Sequence, residues 1–134
     1  MTIPVEDVRE VDVTASNGHW HFMRTQDGWR ATIGATTTGF ETRLDSALRL
    51  LRNSGPDRVL TEAEVNQAGA AQFGLAPPRL RIIVSGSGAS VFTISFGTTN
   101  PIGLSHYARL EGSREIALLP AFVAEEWERM GGTP

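Results

Sequence analysis

The spacing of apolar residues changes period twice along this chain, and each change limits what the segment can become. Val11, Val13 and Ala15 alternate with polar neighbours. After Ser16, Asn17 and Gly18 the alternation resumes with Trp20 and Phe22, and after Gln26, Asp27 and Gly28 it resumes again with Trp29, Ala31 and Ile33. A period of two marks strands with one buried face, and breaks this short suit hairpin turns. From Phe40 the spacing becomes helical, with Phe40, Leu44, Ala47, Leu48 and Leu51 falling along one face. Thr38 and Glu41 stand at capping-box spacing before this run, and Gly55 with Pro56 closes it. A short extended piece at 58–60 precedes a second capping pair, Thr61 and Glu64, and a shorter helix through Val65 and Ala68 that is expected to end near Gly74.

Period two then returns. Leu80, Ile82 and Val84 share a face, as do Phe92, Ile94 and Phe96 across a turn at Gly86, Ser87, Gly88 and Ala89. Two further strands, 106–110 and 115–119, flank a turn at Gly112 and Ser113. Pro120 opens a final helix in which Phe122, Val123, Glu126, Trp127 and Met130 form a mainly apolar stripe before Gly131. Hairpin-length connections cannot join parallel neighbours, so the expected fold is α+β: a largely antiparallel sheet with helices packed on one side. The element order also fits two related strand-rich halves, each ending in a helix, although no residue-level repeat supports duplication. At 134 residues the chain suits one domain, 1–134, with a core large enough to need no staples.

Several function classes drop out on composition. There are no cysteines, which removes disulfides, thiolate catalysis and cysteine-held metals while leaving the redox compartment open. All 12 basic residues are Arg, scattered among 15 acids for a net charge of −3, so the electrostatic footprint of nucleic-acid binding is missing. No apolar run approaches the roughly 18 residues of a membrane helix, and the first ten residues lack the basic start and apolar stretch of a signal peptide. Direct membrane insertion by this segment is not expected. Ile3, Pro4 and Val5 lead straight into a strand pattern, which favours a domain excised from a longer protein.

Four constellations invite chemistry. His19 and His21 project to one strand face about 7 Å apart, as metal-binding pairs do, with Asp12 or His106 as the third ligand if the fold brings one near; the competing reading turns Trp20 and Phe22 inward and leaves both imidazoles in solvent. Ser105 and His106 are adjacent on a strand and therefore point to opposite faces, so they make no nucleophile–base pair. Gly86-Ser87-Gly88 leads into a strand and reads as a hairpin turn, not a phosphate loop. Finally, a loop rich in Thr, Asn, Pro and Gly delivers Tyr107 and Arg109 onto one strand face. Either Pro101 and Gly103 simply shape a turn while Tyr107 packs, or Asn100, Tyr107 and Arg109 form a recognition surface for a partner. No catalytic residues and no cofactor are expected.

Beyond these local signals, Phe73-Gly74-Leu75 followed by Pro77 or Pro78, an alternating hairpin, Gly97, Asn100-Pro101-x-Gly103, Tyr107-Ala108-Arg109 and a strand with Ile116 and Leu118 resembles the DUF4340 family, a domain family of unknown function. Gly28-Trp29 ahead of a helix is similar to the first half of the same pattern, and His106 departs from it. The resemblance implies an extracytoplasmic domain tethered by a membrane helix that this chain does not contain, accompanying ABC-type transporter components. On that footing the chain is expected to be a non-catalytic accessory or protein-interaction domain of a membrane-associated assembly. The alternatives are a small-ligand or metal-binding domain using His19, His21 or the aromatic residues, and a cytoplasmic location if the chain is complete.

Overall fold

A computed structural model describes residues 1, 3–16, 18–36, 38–75, 77–88 and 90–129. Among these residues eight strands form one sheet: β1 (Val8–Ala15), β2 (Gly18–Thr25), β3 (Gly28–Ile33), β4 (Arg58–Leu60), β5 (Leu80–Gly86), β6 (Val91–Thr99), β7 (Ser105–Leu110) and β8 (Ile116–Pro120). Their order is β3-β2-β1-β5-β6-β7-β8-β4, and every neighbouring pair is antiparallel. Among the described residues three helices complete the fold: α1 (Phe40–Asn53), α2 (Glu62–Ala68) and α3 (Ala121–Glu128). The expected α+β class and antiparallel sheet are what the chain builds.

Register explains why this arrangement is stable. Phe22, Val11, Val84 and Phe92 face one another across four strands, and Trp20, Val13, Ile82 and Ile94 form the next row. A one-residue slip would turn every one of these side chains to the opposite face. Against these rows pack Leu44, Ala47, Leu48 and Leu51 of α1 and Val123, Ala124 and Trp127 of α3, all buried in one core. The apolar stripe that carried the first helix in the sequence is therefore the stripe that docks. Burying each such aliphatic side chain contributes about 1.5–3 kcal/mol.

The opposite face carries a second, smaller core. Tyr107 and Ile116 alternate with the residues that face α1 and α3, so they point the other way, where Val65 of α2, Leu60, Leu75 and Phe73 cover them. Phe73 meets Tyr107 edge to face at 4.9 Å and 75°. Phe73 ends a 3-10 turn (Ala70–Phe73) that follows α2. The second helix stops at Ala68 and does not run toward Gly74, because Gly69 takes a φ of +87° and breaks the helical path.

The two capping pairs behave differently. Thr61 Oγ1 accepts from the Glu64 N–H at 3.3 Å and the Glu64 carboxylate accepts from the Thr61 N–H at 3.2 Å, a complete capping box. That backbone bond from Thr61 holds the Glu64 carboxyl below its usual range. Thr61→Ala is expected to cost about 1 kcal/mol and to raise amide exchange throughout α2, measured by urea titration and hydrogen exchange. Thr38 and Glu41 do not cap α1. Its N-cap is Gly39 at φ +85°, with no side-chain bond, and Glu41 instead accepts from the Trp29 N–H at 3.2 Å on the edge strand β3. A carboxylate with two claimants serves the strand here, since an edge N–H otherwise lacks a protein partner. Asn17 and Ala89 of the expected turns, and Met130 with the residues after it, lie outside the described residues.

Candidate functional site

The loop between β6 and β7 is organised by one side chain. Asn100 Oδ1 accepts from the Gly103 N–H at 3.1 Å and from the Ser105 N–H at 3.2 Å, while the Asn100 N–H donates to the Ser105 carbonyl at 2.8 Å. The Gly103 N–H also reaches the Asn100 carbonyl at 2.8 Å, and Gly103 takes a φ of +81° that a side chain would strain. Pro101 restricts the remaining freedom. The side-chain oxygen of Asn100 is thus engaged inside the loop, where it sets shape.

What the loop displays is apolar. Ile102 is 75% exposed and Leu104 is 71% exposed, at the tip of a loop too constrained to fold them back. The Leu104 carbonyl accepts from the Ala121 N–H at 3.0 Å, which fastens the loop to the start of α3. Next in the chain comes Phe122, 54% exposed. The sequence places Phe122 in the buried stripe of the last helix; the structure moves it out, because Val123, Ala124 and Trp127 occupy the packed face and Phe122 sits about 100° around the helix from Val123. Ile102 and Leu104 escaped the sequence reading. The available signal was two large aliphatic residues within Asn-Pro-x-Gly-x, where turn positions are ordinarily polar.

Tyr107 and Arg109 do share a sheet face, as the alternation predicts. Tyr107 belongs to the small core against Phe73. Arg109 lies half-buried opposite Ser95, and its Nε is sealed from solvent without a hydrogen-bond partner among the described residues. Beyond Ser95 the same transverse row continues through Arg81, Thr14 and His19. Arg81 is paired with Glu111 at 3.2 Å. The three partner-binding candidates are therefore divided: Asn100 works within the loop, Tyr107 within a core, and Arg109 stands on the sheet face.

His19 and His21 lie on that face too, with Trp20 and Phe22 turned into the main core. Each imidazole has its own carboxylate: His19 Nε2 lies 2.8 Å from Asp12, and His21 Nε2 lies 3.4 Å from Glu10, with Nδ1 of His21 against the Thr32 hydroxyl. Asp12 thus comes near as anticipated, but the two histidines point to separate partners. Among the described residues there is no group of three His, Asp or Glu side chains placed to hold a metal ion. His106 is buried, and its Nδ1–H donates to the Gly97 carbonyl at 3.1 Å, while Ser105 Oγ donates to Asp57 at 3.1 Å. Adjacent residues on β7 serve opposite faces, and the Ser105 hydroxyl and the His106 ring bond to different partners. Compared with known proteins, the chain matches no family model, no curated protein and no solved structure.

Proposed function

We propose that this chain is a non-catalytic interaction domain that docks onto a protein partner through the β6–β7 loop and the first turn of α3. The observation that carries this reading is the pair Ile102 and Leu104, held out in solvent by a loop whose shape is set by the bonds to Asn100 Oδ1. Burying each aliphatic side chain in a partner's pocket would contribute about 1.5–3 kcal/mol, and a pre-shaped loop loses little entropy on binding. A handful of well-packed residues carries most of the energy of an interface.

Charge favours a protein over an anionic lipid surface. Glu125 stands one turn beyond Phe122 on α3, and Glu126 is already paired with Arg129 at 3.7 Å, so an anionic membrane would meet the Glu125 carboxylate at the rim of the patch. Among the described residues no helix is long and apolar enough to cross a membrane. The DUF4340 resemblance supports a partner within an ABC-type transporter assembly and an extracytoplasmic site of action.

Binding to reconstituted membrane components of such a transporter tests this directly. The double variant Ile102→Ser, Leu104→Ser is expected to lose at least tenfold in affinity while its unfolding free energy stays within about 0.5 kcal/mol of the parent, as expected for exposed sites. Unchanged affinity would remove the loop from the interface. If Arg109→Ala or Tyr107→Ala abolishes binding in its place, recognition belongs to the sheet face; if the parent domain does not bind at all, the transporter reading fails.

A further inference from the structure

The face of the sheet opposite α1 and α3 carries a row of hydrogen-bond donors in which one cation is left without a partner. Arg109 of β7, Ser95 of β6, Arg81 of β5, Thr14 of β1 and His19 of β2 stand opposite one another in turn across five strands. No carboxylate interrupts this row. The carboxylates that pairing and alternation place on the same face flank it, and each already lies against a basic side chain: Glu10 against His21, Asp12 against His19 and Glu111 against Arg81. Arg109 differs. Among the described residues its side chain makes no ion pair, and its Nε is sealed from solvent without a hydrogen bond. A half-buried guanidinium in that condition is costly, because burial removes hydration that only an anion or another acceptor replaces.

The contact between Arg81 and Glu111 shows where an anion fits. Arg81 lies on β5 and Glu111 just past the end of β7, yet Nη2 of the arginine meets Oε1 of the glutamate at 3.2 Å. β6 is the strand between them, so the two side chains meet over it. Ser95 stands opposite Arg109 there, and two residues along β6 the Thr93 carbonyl accepts from the Glu111 N–H at 3.0 Å. Arg81 and Arg109 therefore approach β6 from opposite sides, and the one carboxylate beside them pairs with Arg81 alone.

From this arrangement we propose that the exposed face of β6 binds a phosphate group, held by Arg109 and Arg81 with the Ser95 hydroxyl as a further donor, and that Glu111 is the internal competitor the phosphate displaces from Arg81. Guanidinium groups match phosphate oxygens with paired N–H bonds, and a dianion satisfies both cations where the carboxylate satisfies one. Two arginines and one glutamate leave a single positive charge in a chain of net charge −3, so the affinity is expected to be millimolar and to fall with salt. This site is separate from the β6–β7 loop and does not depend on it.

The test uses the full chain, isotopically labelled and held at constant ionic strength. One titration adds inorganic phosphate, and another adds an acetylated, amidated Gly-Ser-Gly peptide phosphorylated on its serine. Phosphate also strengthens burial as a salt, so melting temperature alone does not separate a site from a solvent effect. Saturable shifts of the Arg109 Nε–H and the Ser95 amide are expected, and chloride should not produce them. Tighter binding of the peptide assigns the phosphate to a phosphorylated chain; binding no tighter than that of inorganic phosphate assigns it to a small phosphate. Arg109→Gln should weaken binding at least fivefold, and Glu111→Gln should tighten it several-fold by releasing Arg81. Should Arg109→Gln fail to fold, Arg81→Gln at an exposed position must show the same loss. Shifts that do not saturate, that chloride reproduces, or that bypass Arg109 and Ser95 overturn the proposal. So does an affinity that survives the arginine variants or fails to rise in Glu111→Gln.

Discussion

Gly97→Ala is expected to cost about 3 kcal/mol, the upper end of what overpacking a native interior costs, and to lower the urea midpoint accordingly. Gly97 lies in β6 beneath the backbone of the 3-10 turn, on the face that carries Phe73 and Tyr107. A Cβ there would be 3.0 Å from the Phe73 carbonyl carbon and 3.1 Å from that of Gly74, and nearer still to the Phe73 carbonyl oxygen. All three are main-chain atoms, so no rotamer change can relieve the contact. Displacing β6 instead would disturb the buried bond from His106 Nδ1–H to the Gly97 carbonyl. Gly55→Ala is the matched control: nothing among the described residues lies within 4 Å of the point its Cβ would occupy and its φ is not positive, so its effect should stay within about 0.5 kcal/mol. Equal midpoints for the two variants would mean that the turn does not press on β6.

Trp127→Ala is expected to be as damaging or more, at about 3–5 kcal/mol. Trp127 is the largest fully buried side chain, and α3 buries only Val123 and Ala124 besides it. Without the indole a helix of two turns has little left to hold it to β7 and α1. Trp127→Phe separates volume from polarity. The indole Nε1 is buried and has no hydrogen-bond partner among the described residues, so phenylalanine removes an unsatisfied donor while keeping most of the packing. Its cost should stay below about 1.5 kcal/mol. Thermal unfolding of both variants distinguishes the cases, and a Trp127→Phe loss as large as that of alanine would show that the indole nitrogen makes a bond.

Sequence reading served best where a residue's fate depends on its near neighbours. Leu44, Ala47, Leu48 and Leu51 repeat at helical spacing and all four are buried; Thr61 and Glu64 meet as their spacing requires. Glu41 shows the limit of that logic, since an identical local spacing yielded to the unpaired Trp29 N–H of a strand formed earlier in the chain. Phe122 shows it again. Its apolar character was plain, but only the placement of α3 over β7 and β8 decides which side of the helix is covered. Within the loop, the sequence assigns the turn to Pro101 and Gly103 and Asn100 to a recognition surface, whereas Asn100 Oδ1 bonds inside the loop; the exposure of Ile102 and Leu104 follows from the loop's position in the fold.

Side-chain period, turn chemistry and the absence of long apolar or basic runs determined, from the amino acids alone, that this chain makes antiparallel strands and amphipathic helices. Those properties act over a few residues, where sterics and hydrogen bonding leave little choice. The pairing of β1 with β5, the second core around Phe73 and the uncovered loop were decided by tertiary structure. Each is set by which distant segment arrives to occupy a surface, and local periodicity carries no information about that arrival.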